Sequence, residues 1–328
     1  MSTKDFAATT GRHKYWELVE KELAPLQDEQ GMLKKELHRP VDCAVCRVDH
    51  AEKVFVKEGF TFVRCKQCGL VYVNPQCATE KLIESYEMNA SLDYWVDVLL
   101  SQGEQEYDVD KFTAACQTLE ELTPGRRVLD VGCSIALFLK IAKARGWDTL
   151  GLELNRKAVK HAVEVYGLDV RPQLLHEAAL APESFDAVTL WEVLEHVSDP
   201  RDVLAQCSAV LKPSGILAIL VPNRDALSAR IMRQACSCFG GRNHLWYFDI
   251  RTLSALLEQT GLEVVKTDTH LSQAEEILTY LNYKNPYYDE RTADDFDMDK
   301  ELKAKFEQFI FDNLLGYKLL VYARKIRA

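Results

Sequence analysis

Hydrophobic positions change their rhythm partway along the chain. From Arg126 onward, short apolar runs alternate with amphipathic ones. The runs Val128–Gly132, Thr149–Leu154, Leu168–Arg171, Phe185–Trp191, Gly215–Val221, Leu262–Thr267 and Tyr317–Arg324 predict strands. Between them, Ile135–Ala144, Lys157–Val165, Asp199–Leu211 and Thr252–Gln259 predict helices. Apolar strands spaced by helices imply an α/β fold with a doubly wound, mostly parallel seven-stranded sheet. Such sheets bind ligands outside the carboxyl ends of their strands, at the switch point of the strand order.

The first third of the chain reads differently. Tyr15–Leu37 predicts a helix, with Trp16, Val19, Leu23 and Leu26 at helical spacing and Pro25 interrupting it. "VFVKEGFTFVRC" predicts two short strands turning at Glu58-Gly59. "GLVYVNP" (Gly69–Pro75) is strand-like, and Thr79–Tyr86 starts with a good cap and continues as helix. Residues 87–118 read as further helix, with Trp95, Val98 and Leu99 as anchors. The organisation expected is an N-terminal helical segment (1–39), a small module (40–76), a helical linker (77–122) and a ligand-binding domain (123–328) carrying an inserted helical and acidic cap (271–315).

Cysteines give the small module its chemistry. Cys43 and Cys46 are followed, after eighteen residues, by Cys65 and Cys68. That double C-x-x-C spacing fits a four-thiolate zinc site. A redox reading is weaker, because neither pair opens a helix in a βαβ unit. A closed site leaves no open coordination position, so this metal folds the module and does no chemistry. Two ordinary surface cysteine pairs are the competing reading.

Composition narrows the setting. The chain is 47% hydrophobic with a net charge of −10, which argues against nucleic acid as the main partner. Met1–Lys14 lacks an apolar signal core, and Ile216–Pro222 is far too short to span a bilayer. The expectation is a cytoplasmic protein with no membrane partner. Ten cysteines then read as thiols and metal ligands rather than disulfides.

The first predicted strand ends at Asp130-Val131-Gly132, and a helix follows within a few residues. Gly132 gives a sharp turn and lets a ligand approach the backbone. About twenty residues later the second strand ends at Glu153, where a carboxylate can accept both hydroxyls of a ribose. Strand, glycine, helix, strand, acid is the layout of a nucleoside-cofactor site. Ser134 and Ala136 stand where a dinucleotide loop places glycines against a pyrophosphate, which disfavours NAD. S-adenosylmethionine has no pyrophosphate, and Ser and Ala remain small.

"VLDVGCSIALFLKIAKARGWDTLGLELN", "SFDAVTLWEVLEHVSDP", "VLKPSGILAILVPN" and "NHLWYFDIRTLSALLEQTGLEVV" together resemble class I S-adenosylmethionine-dependent methyltransferases. The subgroup resembled carries an N-terminal zinc knuckle ending in "RCKQCGLVYVNP". The likeness covers roughly residues 40–270 and the final "YKLLVYARK". It implies a Rossmann-like methyltransferase fold and S-adenosylmethionine as cofactor. By the same likeness, Asp130, Gly132, Cys133, Ser134, Glu153, Leu154, Trp191 and Glu192 are the cofactor-binding candidates. Asp130 as a strand-end cap and Glu153 as a solvated charge remain the plainer readings.

Methyl transfer needs an acceptor held in line, and a hydroxyl acceptor also needs a base. "WEVLEHVSDP" supplies Glu192, Glu195 and His196 just after the fourth strand. A helical turn there would place Glu192 and His196 on one face. His196 suits proton acceptance; a structural histidine is the competing reading. Glu195 and His244 of "NHLWYF" are the further catalytic candidates, against a packed aromatic corner. Gly240-Gly241, with Cys236 and Cys238 just before them, suggests a mobile lid. The acidic "NPYYDERTADDFDMD" reads as a surface element, a cap or a dimer contact, so a homodimer stays open. The function expected is methyl transfer to a small-molecule acceptor such as a sugar, glycan end or secondary metabolite, with O-methylation ahead. RNA methylation with the knuckle gripping RNA, and a non-catalytic binding or scaffold role, are the alternatives.

Overall fold

A computed structural model describes residues 12–87, 89–100, 102–281 and 299–326. The opening eleven residues and most of the acidic stretch expected as a cap or dimer contact lie outside the described residues. Among the described residues, no helix is long and apolar enough to cross a membrane.

The N-terminal helix is shorter than its apolar spacing suggests. Helix α1 (Arg12–Leu23) stops where Pro25 enters a 3-10 turn, Ala24–Leu26, and the chain does not resume the helix to Leu37. Proline has no amide to donate and disfavours the α conformation of the residue before it, so the α-helix tightens and ends here. The Asp28 carboxylate then accepts from the Gln30 and Met32 amides and fixes a turn with Gly31 in the left-handed region. Strands β1 (Ala51–Lys57) and β2 (Phe60–Cys65) form the expected hairpin. Glu58 and Gly59 both have positive φ (53° and 81°), as a tight two-residue turn between twisted strands requires. Strand β3 (Val71–Val73) pairs with β2. Three helices follow: α2 (Thr79–Glu87), α3 (Ala90–Leu99) and α4 (Gln102–Leu122).

The large sheet is built from β4 (Arg127–Val131), α5 (Leu137–Ala144), β5 (Asp148–Leu152), α6 (Arg156–Glu164) and β6 (Val170–Arg171) on one side. The chain then returns through β7 (Phe185–Trp191), α7 (Pro200–Val210) and β8 (Leu211–Pro222). The remaining elements are α8 (Leu227–Met232), β9 (Trp246–Tyr247), α9 (Ile250–Glu258), β10 (Leu262–His270), α10 (Ala274–Leu281), α11 (Lys300–Asp312) and β11 (Lys318–Lys325). The strand order is β10-β11-β8-β7-β4-β5-β6, seven strands as expected. Only β11 runs antiparallel to its neighbours. The order reverses between β4 and β7, so the switch point lies at their carboxyl ends.

Side chains alternate across the sheet with the period of two that strand geometry imposes. Leu129, Val188, Leu190, Leu217 and Ile219 bury on one face; Val128, Ala187, Ile216 and Ala218 bury on the other. The first face belongs to a core that also contains Phe60, Phe62, Leu70 and Tyr72 from the cysteine-bearing hairpin. Strand β9 explains the union. It pairs antiparallel with β3, Trp246 opposite Tyr72, and becomes the fourth strand of the hairpin's own sheet. Their rings stack with centroids 5.6 Å apart.

Candidate active site at the carboxyl ends of β4 and β7

The turn after β4 is held by its neighbour strand. Gly132 and Cys133 both donate their amides to the Leu152 carbonyl. Gly132, Ser134 and Ala136 all take positive φ, at 70°, 49° and 58°. The backbone therefore keeps the conformation that glycines usually supply, although serine and alanine stand at two of the three places. A Cβ on Gly132 would come within 2.6 Å of Val193, so the loop and the β7 turn touch there. Cys133 is buried and packs over Gly151, where a Cβ would come within 2.7 Å of its sulfur.

Glu153 ties the turns after β4 and β5 together. One carboxylate oxygen accepts from the Ser134 amide at 2.8 Å and the other from the Asn155 amide at 2.7 Å. Burial raises its pKa, opposed by these backbone donors. Leu154 beside it is half-buried. Asp130 is completely buried and accepts from the Thr189 hydroxyl at 2.7 Å. Its second oxygen has no partner among the described residues, and burial pushes its pKa up to about 8. Trp191 lies against Phe112 of α4 and Phe138 of α5, at 5.3 and 5.1 Å between centroids. Its indole nitrogen is buried without a partner among the described residues.

Beyond Trp191 the chain turns but does not form a helix. Glu192 takes φ 57°, which breaks any helical path at its first residue. Glu192 and His196 therefore do not share a helix face. Glu192 instead pairs with Lys318 at the start of β11. Burial alone would raise the Glu192 pKa, but Lys318 and Lys111 hold it down to about 2. His196 points the other way, to His244, with ring centroids 4.6 Å apart.

Backbone pairing brings these two histidines together. The Glu195 carbonyl accepts from the Leu245 amide at 2.7 Å, fixing the segment before β9 against the β7 turn. His196 Nδ1 lies 3.0 Å from the Asn243 carbonyl, and His244 Nδ1 lies 3.0 Å from the Cys238 carbonyl. A carbonyl only accepts, so His244 Nδ1 carries the proton and its Nε2 keeps a lone pair; the Asn243 carbonyl favours the same tautomer of His196, whose Nδ1 also meets the Tyr86 hydroxyl. Burial pushes the His196 pKa well below the usual range, and the His244 pKa down to about 4. Both rings are neutral near pH 7. Glu195 is fully buried, and neither carboxylate oxygen has a hydrogen-bond partner among the described residues. Burial and the nearby Glu192 raise its pKa to about 8.

Several residues here were not singled out from the sequence. The Tyr86 hydroxyl of α2 reaches His196 Nδ1 at 3.0 Å across 110 positions of sequence. Lys318 meets Glu192 across 126 positions. No local pattern marks contacts of such span. The segment expected as a lid is packed: Cys236, Cys238 and Phe239 are buried, and a Cβ on Gly241 would strike Phe60 at 2.4 Å. Close backbone approach, not mobility, explains that glycine.

The four knuckle cysteines converge at the other end of β2 and β3. Their sulfurs lie within 4.8 Å of one another, with Cys43 and Cys68 3.5 Å apart. None of the ten cysteines is in a disulfide.

With this fold and this switch-point site, the chain belongs to the methyltransferase domain family, whose model matches residues 104–267. It is a class I S-adenosylmethionine-dependent methyltransferase chain with an N-terminal four-cysteine cluster. Among curated proteins it is similar to a ubiquinone biosynthesis O-methyltransferase of Paracidovorax citrulli, 38% identical over 109 residues, which are 31% of this chain and 46% of that one. A protein of the same name from Photobacterium profundum is 30% identical over 160 residues, 45% of this chain and 66% of that one. The chain thus spans about half the length of the curated relatives it matches first. Among solved structures it is similar to a chain from the complex of the Haloferax volcanii Trm112 methyltransferase activator with a methyltransferase, at TM-score 0.49 and 16% identity, covering 72% of this chain and 98% of that chain. A methyltransferase of Archaeoglobus fulgidus gives TM-score 0.46 at 21% identity, covering 66% and 94%.

Proposed function

We propose that this protein transfers a methyl group from S-adenosylmethionine to a hydroxyl oxygen of a small-molecule acceptor. The observation that carries the reading is the pair of neutral, backbone-oriented histidines beside a buried carboxyl group, set at the β7 end of the switch point. The O-methyltransferase names of the partial relatives agree with it. Gly132, Cys133 and Ser134 would form one wall of the cofactor site, with Glu153 and Leu154 at the ribose end and Asp130, Trp191 and Glu192 flanking it. When bound, the cofactor supplies an electrophilic methyl group on a cationic sulfur. The acceptor oxygen would bond to that carbon as the carbon–sulfur bond broke, the electron pair staying on sulfur. The hydroxyl proton must leave, and His196 Nε2, with its free lone pair, is the group assigned to take it; His244 and Glu195 shape the pocket around it.

The knuckle cluster is assigned one structural zinc ion held by Cys43, Cys46, Cys65 and Cys68. Sulfurs around a tetrahedral ion at about 2.3 Å stand about 3.8 Å apart, near the spacing of Cys43 and Cys68.

The test is label transfer from methyl-labelled S-adenosylmethionine to a panel of phenols, catechols, hydroxylated sugars and total RNA. Label on a small-molecule oxygen is expected. His196→Ala should lower turnover at least a hundredfold, within the roughly 10²–10⁴-fold range of general-base loss, while cofactor affinity holds. Label on RNA alone, or cofactor that fails to bind, would overturn the reading.

A further inference from the structure

Cys236 and Cys238 have no part in the proposed methyl transfer, yet their chemistry differs from that of other buried thiols in the chain. Burial pushes the thiols of Cys77, Cys116, Cys133 and Cys207 up, toward inertness. Cys236 goes the other way. The Cys238 thiol donates to its sulfur, outweighs burial and brings the Cys236 pKa down to about 6, with help from the Cys238 amide, the Ser228 hydroxyl and Lys57. That hydroxyl lies 3.9 Å from the Cys236 sulfur. The same thiol–thiol hydrogen bond pushes Cys238 well above its ordinary value. The pair thus divides into a thiolate near neutral pH and a protonated neighbour, as an attacking and a resolving thiol do.

Geometry supplies the rest. One residue separates the two cysteines, and their side chains meet. Both are buried, but the cover is thin: Arg233, Gln234 and Ala235 before the pair and Ser237 within it are exposed. Two backbone contacts tie the pair to its surroundings. The Cys236 carbonyl accepts from Lys57 Nζ of β1 at 3.1 Å, and the Cys238 carbonyl lies 3.0 Å from His244 Nδ1. We infer that Cys236 and Cys238 are a redox modification site, which closes to a disulfide with a hydroperoxide as oxidant and unseats His244 in doing so.

The Cys236 thiolate attacks one peroxide oxygen. A sulfur–oxygen bond forms, the oxygen–oxygen bond breaks, and the departing oxygen takes a proton to leave as water or an alcohol. Cys236 is then a sulfenic acid, and the peroxide has gained the electron pair that the sulfur lost. The Cys238 sulfur attacks next. The sulfur–sulfur bond forms, the sulfur–oxygen bond breaks, and hydroxide leaves with the Cys238 proton as water. Drawing the sulfurs into a bond turns the peptide groups on either side of Ser237, and the Cys238 carbonyl with them. His244 Nδ1 then loses the acceptor that fixes its ring and tautomer. The effect on turnover rests on the proposed methyl transfer; the thiol chemistry does not.

The experiment treats the full chain, its knuckle saturated with zinc, with hydrogen peroxide, then alkylates the free thiols and maps the peptides by mass. The peptide carrying Cys236 and Cys238 should resist alkylation, lose two hydrogens in mass and recover both on reduction with dithiothreitol, while zinc stays bound. Turnover should fall by roughly tenfold or more on oxidation, return on reduction, and hold through the same treatment in Cys236→Ser. Cys238→Ser keeps a hydroxyl donor to Cys236 but removes the resolving thiol, so dimedone should trap a sulfenic acid at Cys236 there. Melting curves check that both variants fold, and Cys236→Ala replaces Cys236→Ser where the serine does not. Thiols at 236 and 238 that stay open to alkylation after peroxide, or a Cys238→Ser variant that traps nothing, overturn the site. A disulfide that leaves turnover unchanged overturns its hold on His244. Untreated wild type that transfers no methyl group sinks the methyl-transfer reading alone, because the peptide map does not depend on it.

Discussion

Asp130 shows what a single residue can and cannot announce. Its place at the end of a strand was legible, as was its nearness to Gly132. Its partner was not, because Thr189 lies on a strand 59 positions away. Complete burial, helped by the nearby Glu153 charge, raises the folded pKa from 3.8 to about 8 against the opposing Thr189 hydrogen bond. The sign follows directly. The folded state keeps this proton where the unfolded state has lost it, so the stabilisation is full below about pH 4 and drains away as pH rises toward 8. The stability of wild type relative to Asp130→Asn should therefore fall with rising pH across that window, by up to about 1.4 kcal/mol per pH unit. Denaturant unfolding of both proteins at pH 4.5, 6 and 7.5, without cofactor, reads this out. A pH-independent difference would mean that Asp130 is ionised in the fold. Ser134 and Ala136 teach a complementary lesson. Their departure from glycine was visible in the sequence, but only the backbone shows that both keep the left-handed conformation despite their side chains.

At the level of elements, periodicity located every strand of the large sheet, and caps set most helix starts. Asn155, Asp199 and Asp249 each accept an amide from the first turn of the helix that follows. The errors have local causes: Pro25 stops α1, and β10 runs on to His270 because β11 supplies ladder partners that far. Strand β9 escaped the reading altogether. Two residues have no period, and their partner strand is distant in sequence. Yet β9 carries a consequence for the site. It begins two residues after His244, and the Trp246 indole donates to the Val197 carbonyl at 2.8 Å, one residue after His196. Loss of a knuckle thiolate should therefore loosen the segment that carries His244 as well as the hairpin. In Cys65→Ser, amide exchange should quicken in 60–73 and in 243–248 together. Exchange confined to 60–73 would mean that β9 holds its place without the full set of four thiolates.

Across the whole molecule, the N-terminal helices close over the site through contacts that no window of sequence could contain. Glu22 of α1 accepts from Arg242 at 2.6 Å and from the buried Ser91 hydroxyl of α3 at 2.7 Å. Arg242 also reaches that hydroxyl at 3.3 Å. Three segments far apart in sequence thus share one polar node. Arg242 immediately precedes Asn243, whose carbonyl lies against His196 Nδ1, so the node bears on the His196 ring through the backbone. Both ionic side chains are mostly buried, at 11% and 21% exposed, so their attraction is only partly screened. A double-mutant cycle of Glu22→Gln and Arg242→Met should return a coupling of about 1.5–3 kcal/mol in unfolding free energy, the range for hydrogen bonds to charged groups. Each single variant should also raise the acceptor KM more than the cofactor dissociation constant, because the node faces His196 and His244 rather than Glu153. Equal effects on both ligands would place the node's influence on the general stability of the fold, and a coupling near zero would show that the three segments hold together through their apolar contacts alone.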